Sequence, residues 1–152
     1  MILWSVVALF IIAVDQLSKY FVVKNIGLTD CIEIIPNIIN FVYVKNTGAA
    51  FSFLSQKDYG IVLLSIVSVL FCIGVIAYAC YYKPKNRLLR LSLSLMFAGA
   101  VGNVIDRIVK GFVVDFIELD FINFPVFNLA DIAITVGAAL LIIYVLFFDK
   151  GE

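Results

Sequence analysis

Between positions 59 and 82 the chain runs for 24 residues without one charged side chain. As a helix such a stretch rises about 36 Å, more than the ~30 Å hydrocarbon core of a bilayer. A membrane span is the expectation, and similar apolar stretches at 2–20, 88–109 and 128–148 predict three more. Composition agrees: 64% of the 152 residues are hydrophobic and 14% charged, with a mean hydropathy of +1.12, whereas a soluble domain is ~45–50% apolar and ~25% charged. The net charge is zero and no basic block stands out, so nucleic acid is not an expected partner. Histidine is absent altogether. That excludes Ser/His/Asp triads, Cys/His dyads and histidine-based zinc sites, and a hydrolase made from this chain must use other bases. The three cysteines show no Cys-x-x-Cys spacing and read as packing residues.

The stretch 2–20 lacks a cationic leader and a small-x-small cleavage site, and it carries Asp15 and Lys19 at its far end. It is expected to be a retained span, not a cleaved signal. Residues 24–58 change character: short β-branched and aromatic runs broken by Pro36 and Asn37 predict a small extramembrane strand region. In its closing segment Gly48, Ala49 and Ala50 permit close backbone approach, and a short amphipathic piece around Phe53, Leu54 and Tyr59 is expected along the interface. Tyr78, Tyr81 and Tyr82 mark one interfacial end of the second span. The loop after it holds Lys83, Lys85, Arg87 and Arg90, a cationic cluster that short loops keep in the cytoplasm. By alternation both termini are cytoplasmic, while 24–58 and 110–127 share the outer side. Gly99, Ala100 and Gly102 give the third span a small-residue face. The expected fold class is an all-α membrane protein, a four-transmembrane-helix bundle with a small extracytoplasmic β-rich cap, in one domain over 1–152.

Carboxylates then stand out, because the stretch 113–131 puts them where ionisation is costly. Asp115 lies between Val114 and Phe116 with no base nearer than Lys110, and no capping role is evident for it. The other polar residues have bland readings. Asn128 and Asp131 have the form of a helix cap, worth about 1 kcal/mol. Asp15 and Lys19 form an i, i+4 pair in the favourable order. Asn103 can meet Asp106 or Arg107 on its own helix, and Arg107 fits a clamp better than a catalyst. If Asp115 approaches Asp131, however, two poorly solvated carboxylates must share a proton, which is the aspartic-protease arrangement. The rival reading is a small proton-coupled transporter or channel subunit. That reading predicts acids spread through the membrane depth and internal repeats, whereas these spans have clean middles.

Five segments, Asp15-Gln16-x-x-Lys19, Asn46-x-Gly48-Ala49-Ala50-Phe51, Gly102-Asn103-x-x-Asp106-Arg107, Val114-Asp115-Phe116 and Phe127-Asn128-x-Ala130-Asp131, resemble in order the motif set of bacterial lipoprotein signal peptidases (signal peptidase II). The resemblance implies an intramembrane-type aspartic endopeptidase. It would remove the signal peptide from diacylglyceryl-modified prolipoproteins just before the lipidated cysteine, in the bacterial cytoplasmic (inner) membrane. It also implies Asp115 and Asp131 as the catalytic pair. Asp15, Lys19, Asn46, Gly48, Asn103, Asp106, Arg107 and Asn128 would line or brace the site near the outer surface. No metal or cofactor is expected; the partners are the substrate and membrane lipid, and the chain is expected to act as a monomer.

Overall fold

The structure, a computed structural model, describes residues 2–48 and 60–149. The expected amphipathic piece around Phe53, Leu54 and Tyr59 lies outside the described residues. Four long helices form: α1 (Ile2–Asn25), α2 (Gly60–Tyr82), α3 (Arg87–Lys110) and α4 (Leu129–Phe147). All four are long and apolar enough to cross a membrane. Their outer faces expose Leu9, Phe10, Leu63, Leu70 and Leu146, as a lipid-facing surface requires.

Helix α3 is the centre of the bundle and packs on α1, α2 and α4. Without a hydrophobic drive between helices in lipid, close backbone approach has to supply the attraction. The small residues provide it. A Cβ on Gly99 would collide with the Ala130 carbonyl oxygen and stand 2.7 Å from Ile134, and one on Gly102 would stand 2.6 Å from an Asp15 carboxylate oxygen.

The strands β1 (Cys31–Ile35), β2 (Ile39–Asn46) and β3 (Val113–Leu119) form one antiparallel sheet in the order β1-β2-β3. The first two fall in the expected strand region. The third comes from the 110–127 stretch, where no strand was expected. Its residues 113–116 are buried without alternation, so the period-2 pattern that announces a half-exposed strand is missing. Beneath the sheet, Val22 and Ile26 pack with Tyr43, Val114 and Phe116, and Phe41 meets Phe116 edge to face at 5.5 Å.

That packing corrects the end of the first helix. The sequence reading stops it at Tyr20; the structure carries it to Asn25, because Val22 and Ile26 have a core to bury in. Asp15 and Lys19 therefore sit inside the bundle, with Lys19 about 9 Å along the axis from the helix end. The cysteine reading is corrected too: Cys72 is buried, but Cys31 and Cys80 are exposed, the first on a solvent-facing edge strand and the second in the last turn of α2.

Gly99→Ala tests the close packing of α3 on α4. The added methyl meets backbone, which cannot swing aside, and should destabilise by about 1–3 kcal/mol. A thermal melt in detergent should show a clear drop in Tm, whereas Gly74→Ala, with open space around the new Cβ, should show none.

Candidate active site

The chain reverses at the end of α3 through Gly111, whose φ of 76° suits a residue without a side chain and whose N–H caps the Arg107 carbonyl. β3 then starts within reach of α3: the Val114 N–H donates to Asp106 at 3.1 Å. In the sheet Asn46 pairs with Val113, so Asp115, two residues on, is its diagonal neighbour on the same face. The Asn46 side-chain amide accordingly donates to Asp115 Oδ2 at 2.7 Å. Its carbonyl oxygen accepts from the Gly48 N–H at 2.9 Å, which fixes the orientation of the amide.

Asn128 joins the two acids. It is fully buried and caps α4: its side-chain oxygen accepts from the Asp131 N–H at 3.0 Å, and Asp131 accepts from the Asn128 N–H at 3.2 Å. The capping expected from sequence is thus present. The same side chain donates to Asp115 Oδ1 at 2.6 Å, so cap and acid pair are one network. Asp131 Oδ1 receives the Asn103 amide at 2.8 Å. Asn103 therefore does not bond Asp106 or Arg107 as its spacing suggests; its oxygen accepts from Lys19 at 3.0 Å and from Asn128 at 3.2 Å.

Below this layer lies an ion network. Lys19 contacts Asp15 at 2.9 Å and Asp106 at 3.2 Å, and Lys110 contacts Asp106 at 2.8 Å. Asp15 accepts the Ala130 N–H in the first turn of α4 at 3.0 Å, where the helix dipole favours a negative charge. Arg107 joins none of these ion pairs among the described residues. It lines a cleft of about 470 Å3 together with Asn46, Gly48, Asn103, Asp115 and Asp131. Of the ten residues singled out in the sequence, six line this cleft, while Asp15, Lys19, Asp106 and Asn128 support it from behind.

The sequence reading quotes Gln16 in its first motif but gives it no place in the site; Gln16 donates to Asp15 and to the Gly102 carbonyl, both at 3.1 Å. Its place beside Asp15 in an apolar helix was the available signal. The sequence reading missed Thr135, one turn after Asp131 on the same wall. Phe124, Pro125 and Phe127 supply the apolar side of the cleft. Among the described residues no group of three or more acids or cysteines is arranged to hold a metal ion.

Asp115 is pushed up from 3.8 to about 6. Burial is the main cause; the charge of Asp131 acts the same way, and the Asn46 and Asn128 amides partly oppose it.

Four membrane-length helices, with Asp115 on β3 and Asp131 on α4 lining one cleft, define a polytopic membrane protein of the paired-carboxylate kind. A family model for signal peptidase (SPase) II matches residues 7–147, and the chain belongs to this family. It is 40% identical over 151 residues to the lipoprotein signal peptidase of Latilactobacillus sakei subsp. sakei (strain 23K), covering 99% of this chain and 97% of that one. A lipoprotein signal peptidase of Streptococcus agalactiae serotype III (strain NEM316) is 42% identical over 93% of this chain and 90% of its own. A bacterial membrane enzyme solved by the in meso method at 2.3 Å superposes with a TM-score of 0.90 and 32% identity, over 100% of this chain and 94% of that one.

A carboxylate raised from 3.8 to about 6 favours folding at low pH and opposes it above pH 6, where it must ionise in place. The Asp115→Asn variant lacks this liability. Its Tm relative to the parent should therefore rise between pH 4 and pH 8, by the equivalent of about 2–3 kcal/mol. A difference in Tm that is flat across this range would contradict the assignment of a raised pKa.

Proposed function

We propose that this chain is an aspartic endopeptidase that removes signal peptides from prolipoproteins, with Asp115 and Asp131 as the catalytic pair. One observation carries the reading: two carboxylates on one cleft, linked through Asn128. With a single proton on the pair, the remaining carboxylate plus Asp15 and Asp106 balance Lys19, Lys110 and Arg107. One shared proton is the state an aspartic mechanism needs.

In this mechanism a water between the acids gives its proton to the ionised member, while the protonated member donates to the scissile carbonyl oxygen. The oxygen of water bonds to the carbonyl carbon. On collapse the C–N bond breaks, and a proton returns through the pair to the leaving amine. Asn46, Asn103 and Asn128 hold the carboxylates in place. Gly48 fixes Asn46, and Asp15, Lys19 and Asp106 brace the helices behind them. Arg107, at the cleft wall, is suited to receive a peptide carbonyl.

A scissile bond beside a diacylglyceryl cysteine stays near the membrane surface, which suits acids at one end of the bundle. Val126, Ile132 and Val136 would lie along its acyl chains. The basic loop at Lys83 to Arg90 supports cytoplasmic termini and a site at the outer face.

Asp115→Asn and Asp131→Asn should each lower the rate of signal-peptide release from a diacylglyceryl-modified prolipoprotein by about 10²–10⁴-fold and leave the protein folded. Near-normal turnover in either variant removes that residue from the pair. The unmodified prolipoprotein should be cleaved poorly by the parent.

Cysteine labelling tests the orientation. In a background without Cys31, Cys72 and Cys80, a single cysteine at Asn123 should react with an impermeant thiol reagent applied outside. One at Asn86 should react only after the membrane is opened, and the reverse pattern would invert the assigned topology.

A further inference from the structure

A second cavity, of about 410 Å3, lies at the opposite end of the bundle, between the start of α1, the end of α2 and the start of α3. It exists because α1 and α2 both pack on α3 but hardly on each other. Its walls are almost entirely apolar, from Trp4, Ala8, Val75, Ala79, Leu93 and Phe97, and no acid lines it. Two cations stand at its mouth, Lys83 and Arg90.

The mouth is shaped by the backbone. Lys83 has a φ of 45°, a left-handed conformation that costs a residue with a side chain roughly 1 kcal/mol. Such outliers persist only where the surroundings hold them. Here the Nε–H of Arg90 donates to the Pro84 carbonyl, tying α3 to the turn. Among the described residues the two terminal amino groups of the guanidinium are left for an acceptor, in the fork geometry that matches a phosphate.

An apolar slot with two cations in its lining has the form of an acyl chain joined to an anion. Basic pockets between transmembrane helices are suited to anionic lipid headgroups. We propose that this cavity binds an anionic phospholipid of the adjacent leaflet, with one acyl chain between α1 and α2 and its phosphate on Arg90 and Lys83. This site is separate from the aspartate cleft, and nothing in it depends on the peptidase reading.

The test is native mass spectrometry of the full-length protein in detergent, titrated with phosphatidylglycerol and, separately, with phosphatidylcholine. The parent should retain one phosphatidylglycerol in clear preference to phosphatidylcholine. Lys83→Gln and Arg90→Gln should each weaken phosphatidylglycerol retention about fivefold, the scale expected for a basic residue at an anionic lipid, and leave phosphatidylcholine unchanged. Ala79→Phe, which fills the slot, should weaken both. All three variants should keep the parental cleavage rate, since none touches the aspartate cleft, and Lys83→Gln, which keeps the bond between Arg90 and the Pro84 carbonyl, should also keep the parental Tm. Equal retention of the two lipids by the parent would overturn the proposal. Unchanged retention in Ala79→Phe would also overturn it, because the lipid would then sit on the surface. Displacement by millimolar glycerol phosphate would show a soluble-anion site, and overturn the lipid assignment too.

Discussion

A fully buried ammonium group holds the head of this molecule together. Lys19 is wholly inaccessible, and taking one charge out of water costs several kcal/mol unless its partners are complete. They are complete here. Its three N–H donors meet three oxygens, on Asp15, Asn103 and Asp106, and each partner passes the constraint on. Asp15 fixes the first turn of α4, Asp106 fixes the start of β3, and Asn103 holds Asp131. Remove the ammonium and two carboxylates face each other without compensation in a dry interior, which is worse than losing one bond.

Much of this was legible in the sequence, for reasons that can be named. A charge-free stretch as long as 59–82 leaves little choice but a span, and the four spans follow from the same arithmetic. Asp115 was conspicuous because an acid flanked by Val114 and Phe116 has no inexpensive explanation. Other features could not be read. β3 is buried on both faces over residues 113–116, so no alternation marks it. The last turn of α1 depends on a core assembled from residues far along the chain, such as Val114 and Phe116. The partners of Asn103 lie on other elements, whereas sequence spacing offers only its own helix.

The transporter reading and the peptidase reading drew on the same carboxylates, and family membership decides between them. The geometry agrees with that decision in a specific way. The polar residues form a shell at one end, with small residues below them closing the bundle: Gly99 and Gly137 leave little room between α3 and α4. A path for ions through the membrane would have to separate those helices. A hydrolase needs only the end it uses.

The cap of α4 carries one more implication. Asp131 is both the acid that closes the capping box and a member of the proposed pair. The helix cannot fray at this terminus without carrying the carboxylate out of register with Asp115. Readiness for chemistry and integrity of the first helical turn are thus a single degree of freedom, and the occupancy of the working geometry equals the fraction of time that this turn stays wound. Asp15, reaching from another helix to the Ala130 N–H, acts as a brake on that unwinding.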